Sequence, residues 1–235
     1  MSDSKLTPPA GDAAMSVREC RLITERLLVA AGTLPGEVPA VRDAALLAEM
    51  LGLGVMAHLY GHGLHAPASA PGVRIDGATA TVEAGGALSL YLVPALRDLI
   101  IVHPGLKRIQ VNATERGGFL AVLDALPELA ARTVAIAPAD GAPLDGNAAQ
   151  SVVLEIAAAA APKGQEHVLR AHRDGLPVPG AVWLELYLRS NAALLEESAL
   201  TRRHAGHQDV DSSGRIVRPM DDDVDIEHAL AAAAN

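Results

Sequence analysis

Half of the residues in this chain are apolar, yet they include only one Phe, one Trp and three Tyr, so a core has to be assembled from Ala, Leu, Val and Ile. Small side chains bring backbones close together, and each contributes less transfer free energy than an aromatic ring. Burial must therefore be spread over many closely packed elements. A length of 235 residues supplies them as one large domain or two small ones.

Charge narrows the partners. Acidic side chains number 28 against 19 basic ones, a net charge of −9 that repels nucleic acid and anionic membrane surfaces. The N-terminal residues lack the charged-then-apolar pattern of a secretory signal. Apolar stretches such as 99–102 and 156–162 fall far short of the roughly 18 uninterrupted residues of a membrane span. The expectation is a soluble, cytoplasmic protein. The single cysteine, Cys20, has no partner for an internal disulfide and falls on the apolar side of a helix, where a small buried thiol is expected.

Ser16 followed by Glu19 predicts a capping box, in which hydroxyl and carboxylate each satisfy an unpaired backbone donor, opening a helix over 17–31 that Gly32 ends. A second helix begins near Pro39 and runs through Leu51, making a helical hairpin. Gly52, Gly54, Gly61 and Gly63 break the pattern, and Pro67 and Pro71 make the next connection irregular. Residues 73–75 and 79–82 flank Asp76-Gly77, the signature of a tight β-hairpin. Helices are expected over 94–102 and 119–131, strands over 108–111, 133–137, 151–156 and 167–171, and a long helix over 181–199. The fold class is α/β or α+β, with an N-terminal helical hairpin, a central mixed sheet with short helices, and a long C-terminal helix. Residues 1–15 are expected as a flexible tail, 16–214 as one globular domain with a sub-boundary near 66–72, and 215–235 as an acidic, alanine-rich tail.

His58 and His62 are four apart, which on a helix puts two imidazoles on one face, with His65 close behind. Glycines interrupt that helix and no Cys or carboxylate stands nearby, so no metal is assigned. The densest group of ionisable side chains is Glu196, Glu197, Ser198, Arg202, Arg203, His204, His207, Asp209 and Asp211. Carboxylates beside histidines suit general acid–base work, and His204, His207, Asp209 and Asp211 could ligate a divalent ion. A solvated helix end followed by a polar turn accounts for the same residues without any chemistry. No Gly-x-Gly-x-x-Gly, Gly-x-x-x-x-Gly-Lys-Ser/Thr, Gly-x-Ser-x-Gly or Cys-x-x-Cys occurs, so no cofactor is assigned. Glu115-Arg116-Gly117-Gly118 reads as a connecting glycine turn.

Residues 189–211 resemble the C-terminal motif of a bacterial single-chain family of unknown function: an arginine, Glu-x-Ser, a glycine-rich turn and Asp-Asn-Asp. Arg189, Glu196, Ser198, Gly206, Asp209 and Asp211 stand at the corresponding places, with Val210 replacing the Asn, Asn191 replacing an aromatic residue, and Arg203, His204 and Ala205 replacing most of the glycine turn. That resemblance implies a bacterial protein and a location for a site, but no reaction; with His207 added from the polar cluster, the expected ligand-binding residues are Arg189, Ser198, His207, Asp209 and Asp211. The opening helical pair followed by His62-Gly63 is similar to the start of the malate and L-lactate dehydrogenase-like family, whose non-Rossmann nicotinamide site carries Ser-His-Gly there. Tyr60-Gly61-His62-Gly63 keeps the histidine and the following glycine. The family's His-Phe-Gly segment has no counterpart, the nearest alignment giving Arg116-Gly117-Gly118-Phe119, and neither has its Gly-His-Lys-Gly region, which implies that the hydride-transfer machinery is lost.

Three functions follow as expectations. The first is an accessory or small-ligand-binding protein of metabolism, holding a small polar ligand or a partner protein through residues 196–211. The second is a hydrolase or lyase with Glu196 or His204 as the proton-transfer group. The third, implied by the dehydrogenase resemblance, is a degenerate NAD(P)-dependent 2-hydroxyacid dehydrogenase-like protein using His62. Nothing in the sequence opposes a homo-oligomer.

Overall fold

The computed structural model describes residues 8, 10–141, 143–144, 148–160 and 165–194. Its contacts divide the chain into a unit ending at Leu194 and a second from Leu195 to Asn235, and every element described belongs to the first.

The fold is α/β. Helix α1 (Val17–Ala30) opens with the expected capping box: Ser16 Oγ accepts from the Glu19 N–H at 3.1 Å, while the Glu19 carboxylate accepts from the Ser16 N–H at 3.0 Å. Helix α2 (Val38–Met50) starts with Pro39 in its first turn and packs against α1. Cys20, Ile23, Leu27 and Leu28 of α1 face Val41, Ala44, Ala45 and Ala48 of α2 in one continuous core. The alanines let these helices approach closely, as the composition requires.

Helix α3 (Val55–His62) runs straight through Gly61, so the expected interruption of the histidine pair does not occur. Tertiary burial of Val55, Met56 and Leu59 outweighs the helix penalty of one glycine, which is about 1 kcal/mol. The Glu49 carboxylate accepts from the Met56 N–H at 2.9 Å and so caps the start of α3. Burial holds that carboxyl above its ordinary range.

Strands β2 (Gly72–Asp76) and β3 (Thr79–Glu83) form the expected hairpin across Gly77-Ala78, with φ +58° at Gly77. A crossover through α4 (Val93–Val102) returns the chain to β4 (Arg108–Thr114), parallel to β3. Strand β6 (Gln150–Ala158) inserts between β4 and β5 (Arg132–Pro138), antiparallel to both, giving the order β2-β3-β4-β6-β5. One sheet face is apolar and buried, carrying Ala80, Val82, Ile109, Val111, Val134, Val152, Leu154 and Ile156. The other is polar, with Arg108 paired to Glu155 at 2.7 Å and Asn112 donating to Glu83 at 2.8 Å.

Four expected elements differ. Asp12–Met15, placed by sequence in the flexible tail, forms strand β1, antiparallel to β7 (Leu176–Pro179). The helix over 119–131 is instead a 3₁₀ turn (Gly117–Ala121), a short α5 (Val122–Ala125) and a second 3₁₀ turn (Pro127–Leu129). Pro127 is the cause, because its ring pushes Leu126 out of the helical region to ψ 130°. The expected strand over 167–171 is helix α6 (Glu166–Asp174), with Glu166 in its first turn, His172 and Arg173 in its last, and Gly175 after it. The long C-terminal helix stops early, as α7 (Gly180–Ser190), followed by a 3₁₀ turn (Asn191–Ala193). There the Ser190 hydroxyl donates back to the Tyr187 carbonyl at 2.8 Å and Leu194 is extended.

No single helix among the described residues is long and apolar enough to cross a membrane. Helices α2 and α3 reach such a composition only together, across a bend of 115°.

Candidate functional site

At the end of β4 and just past it the backbone is unusual. The register against β6 shifts between Val111 and Thr114, and Ala113 and Arg116 take φ +53° and +52°, a region that side-chain-bearing residues seldom enter. Such conformations persist where surrounding contacts over-determine them, and they collect at functional sites. The contacts are present here. The Gly86 N–H donates to Ala113 O at 2.6 Å, the Glu115 N–H to Ala87 O at 3.0 Å, and the Ser89 N–H to Glu115 O at 3.0 Å. The Ser89 hydroxyl, fully buried, donates to the carbonyl of Arg116.

Gly117 and Gly118 do more than connect. A Cβ on Gly117 would run into the Val152 side chain, and Gly118 donates its N–H to Leu144 O at 2.9 Å. Gly117 thus lets this loop lie directly on β6 and Gly118 ties it to Leu144, fixing where Arg116 emerges.

Arg116 Nε donates to His58 Nδ1 at 3.1 Å, and its guanidinium lies 5.6 Å from the centre of the Phe119 ring. His58 meets the same ring edge-on at 5.6 Å and stacks on His62 at 4.9 Å. The four-residue spacing seen in sequence is therefore realised on α3. His58 is 4% exposed, and burial, then the charge of Arg116, then His62 push its pKa down to about 4. It is a neutral imidazole accepting a charge-assisted hydrogen bond, which orients the guanidinium. His62 is exposed, at the end of α3. The result is a positioned positive charge just past the carboxyl end of the parallel β3–β4 pair, held by a histidine on which an exposed imidazole stacks. Open α/β sheets bind ligands at such strand ends.

Arg189, singled out in sequence, lies in the last turn of α7. Its Nη1 donates to Tyr60 O at 2.9 Å and Leu59 O at 3.4 Å, its Nε to Glu185 at 2.8 Å, and its guanidinium stacks on the Tyr60 ring at 5.6 Å. Those carbonyls belong to the end of α3, where Leu59 O also accepts from the Gly63 N–H at 3.0 Å, so Arg189 adds a side-chain donor to the helix end that presents His62. Beside it lies a pocket of ≈ 160 Å³ lined by Leu27, Leu59, Gly63, Leu64 and Arg189. The other sequence candidates, Glu196, Ser198, His204, His207, Asp209 and Asp211, lie outside the described residues.

A wider concavity of ≈ 450 Å³ is lined by Leu51, Leu53, Ala121, Ala125, Val134 and Ile136, with Asp124 at its wall accepting from the Val134 N–H at 2.6 Å. Among the described residues no group of three or more His, Cys, Asp or Glu gathers as a metal site would require. Cys20 is fully buried and its thiol is pushed up to about 12 by burial, then Glu49 and Glu19, so it stays protonated and inert.

Arg116, Ser89 and Phe119 were not legible as site residues in the sequence. The signal for Arg116 is an arginine directly before Gly-Gly at a strand end, which acquires meaning only once α3 is docked against it.

No protein-family model matches the chain, and no curated protein matches it. Among solved structures the chain is similar to malate dehydrogenase from Entamoeba histolytica, at 13% identity and TM-score 0.41, over 53% of this chain and 38% of that one. It is also similar to sulfolactate dehydrogenase from Methanocaldococcus jannaschii, at 15% identity and TM-score 0.36, over 73% of this chain and 62% of that one. The chain thus spans less than two thirds of either protein, and likeness at this level assigns no activity.

Proposed function

We propose that this chain is a small-ligand-binding, accessory protein that holds a small organic anion beside Arg116. The observation that carries this reading is the His58–Arg116–Phe119 arrangement at the carboxyl end of β3 and β4. A guanidinium held by a neutral imidazole on one side and an aromatic ring on another is pre-organised for a carboxylate or phosphate oxygen. His62, exposed at the end of α3 and stacked on His58, offers a further polar group at the same helix end. Proton transfer is a poor task for His58, whose Nδ1 is engaged and whose pKa lies near 4, far from a neutral working pH.

Thermal-shift titration with malonate, succinate and inorganic phosphate tests this, because a ligand that binds only the native state raises its melting temperature by mass action. A concentration-dependent rise in the wild type that disappears in Arg116→Gln is expected. Equal shifts in both proteins, or none in either, would sink the proposal.

A second reading is favoured by the exposed His62 imidazole, stacked on the histidine that holds Arg116. A 2-hydroxy acid needs a cation for its carboxylate and a base for its hydroxyl, and Arg116 and His62 provide one of each, in keeping with a degenerate dehydrogenase-like protein. Titration of NADH and NADPH followed by nicotinamide fluorescence separates the two. Binding that strengthens in the presence of a 2-hydroxy acid supports this second reading, and an unchanged emission removes it.

A further inference from the structure

Strand β2 ends the sheet, and every one of its residues is exposed. Exposed edges are usually blunted by proline, by a bulge or by charges that repel a copy of themselves. Strand β2 has no proline, its pairing with β3 is regular throughout, and its charges alternate in sign: Arg74 and Asp76. Val73 and Ile75 lie opposite Val82 and Ala80, on the apolar face, yet remain 50% and 41% exposed. At the end of α4, Ile101 and Val102 are 49% and 68% exposed, and the chain leaving α4 returns to the hairpin tip, where the Lys107 N–H donates to Ala78 O.

Hydrogen-bond parity decides what this edge can accept. A two-residue hairpin loop closes on a hydrogen-bonded pair, here Asp76 and Thr79, so the backbone groups of Asp76, Arg74 and Gly72 point inward to β3. Those of Ile75 and Val73 point outward to the free edge. An antiparallel copy related by a two-fold axis at Ile75 would pair Ile75 with Ile75, exchanging both outward hydrogen bonds. The same register sets Arg74 opposite Asp76 of the copy, twice, on the polar face. A two-fold at Arg74 instead sets arginine against arginine.

We infer that β2 is a self-complementary edge through which two copies of this chain join their sheets antiparallel about Ile75, with reciprocal Arg74–Asp76 pairs. The occupant is a second copy because the charge pattern matches its own inverse. Five residues of strand bury well under about 1,000 Å², so the association is weak and depends on concentration.

Sedimentation velocity of the full chain from about 10 µM to about 1 mM is expected to move from the 24.2 kDa monomer toward twice that mass. Arg74→Asp faces two carboxylates with two others and should weaken the dimer about tenfold. The double variant Arg74→Asp, Asp76→Arg restores opposite charges and should return the affinity to within about threefold of wild type. Amide exchange at Val73 and Ile75 should slow as concentration rises, while the circular dichroism of all three proteins stays the same. A monomer at every concentration, a dimer indifferent to Arg74→Asp, or a double variant that fails to recover overturns the inference.

Discussion

Lowering the pH from 7 to 4.5 brings His58 to the point where its burial and its charge conflict. Its imidazole is buried against Phe119, accepts from the Arg116 guanidinium and stacks on His62, so the folded protein binds a proton there only near pH 4. In the unfolded chain the same group binds one near pH 6.5. The unfolded state therefore takes up the proton first as the pH falls. Stability is fully present above about pH 6.5 and is lost on the way down to about 4. Integrated between pH 7 and 4.5, the difference in proton uptake amounts to about 2 kcal/mol, a large share of a typical domain's stability. Glu49 works the other way: its raised carboxyl pKa makes folding more favourable as the pH falls. A variant that shares Glu49 but lacks the imidazole separates the two. His58→Gln keeps a carbonyl that can accept from Arg116 and does not titrate. Urea denaturation at both pH values should show the wild type losing about 2 kcal/mol more than His58→Gln on acidification, whatever the variant's stability at pH 7. Equal losses in the two proteins would mean that His58 is not held neutral by its burial and by Arg116.

Three further outcomes follow from the same structure. Gly117→Ala places a Cβ against Val152 with no room for it and should cost about 2 kcal/mol or more, whereas Gly105→Ala, with open space and no positive φ, should stay within about 0.5 kcal/mol of wild type in the same urea assay. Arg189→Met strips the side-chain donor from the Tyr60 carbonyl, while the Leu59 carbonyl keeps the Gly63 N–H, and should destabilise by about 1 kcal/mol; hydrogen exchange should speed up selectively in α3, and uniform exchange throughout would refute the anchoring role. The Cys20 thiol should remain unmodified by a thiol reagent in native buffer at pH 8 and react fully in denaturant, and fast native labelling would contradict its burial.

Much of the local structure was legible because its causes are local. Ser16 and Glu19 meet within one helical turn, Gly77 supplies the positive φ of the hairpin, and Pro39 starts α2 where its missing N–H costs nothing. Pro127 was equally visible, yet the apolar residues around it mimic a continuous helix, and the backbone preference of Leu126 prevailed over that pattern. In α6 the apolar pair Val168-Leu169 suggested a strand, while the charges at its two ends and Gly175 correctly mark a helix.

The candidate site was legible only in fragments. The four-residue spacing of His58 and His62 is a sequence fact, and so is the arginine before Gly117-Gly118. That these belong together is not, because 58 residues separate His58 from Arg116, and no propensity or periodicity acts over such a distance. The close approach of the loop to β6, permitted by Gly117, and the docking of α3 in the core bring them within hydrogen-bond reach.

The apolar yet aromatic-poor sequence by itself determined that the core would be a contact of small side chains, and its turns and caps determined most element boundaries. The tertiary structure alone decided that β6 would enter between β4 and β5, that the N-terminal residues would pair with β7, and that a neutral imidazole would hold the arginine at the strand ends. The physical reason is one of range. Caps, turns and hairpins are settled by groups a few bonds apart, whereas strand order and the partner of a buried imidazole depend on which distant surfaces can exclude water together.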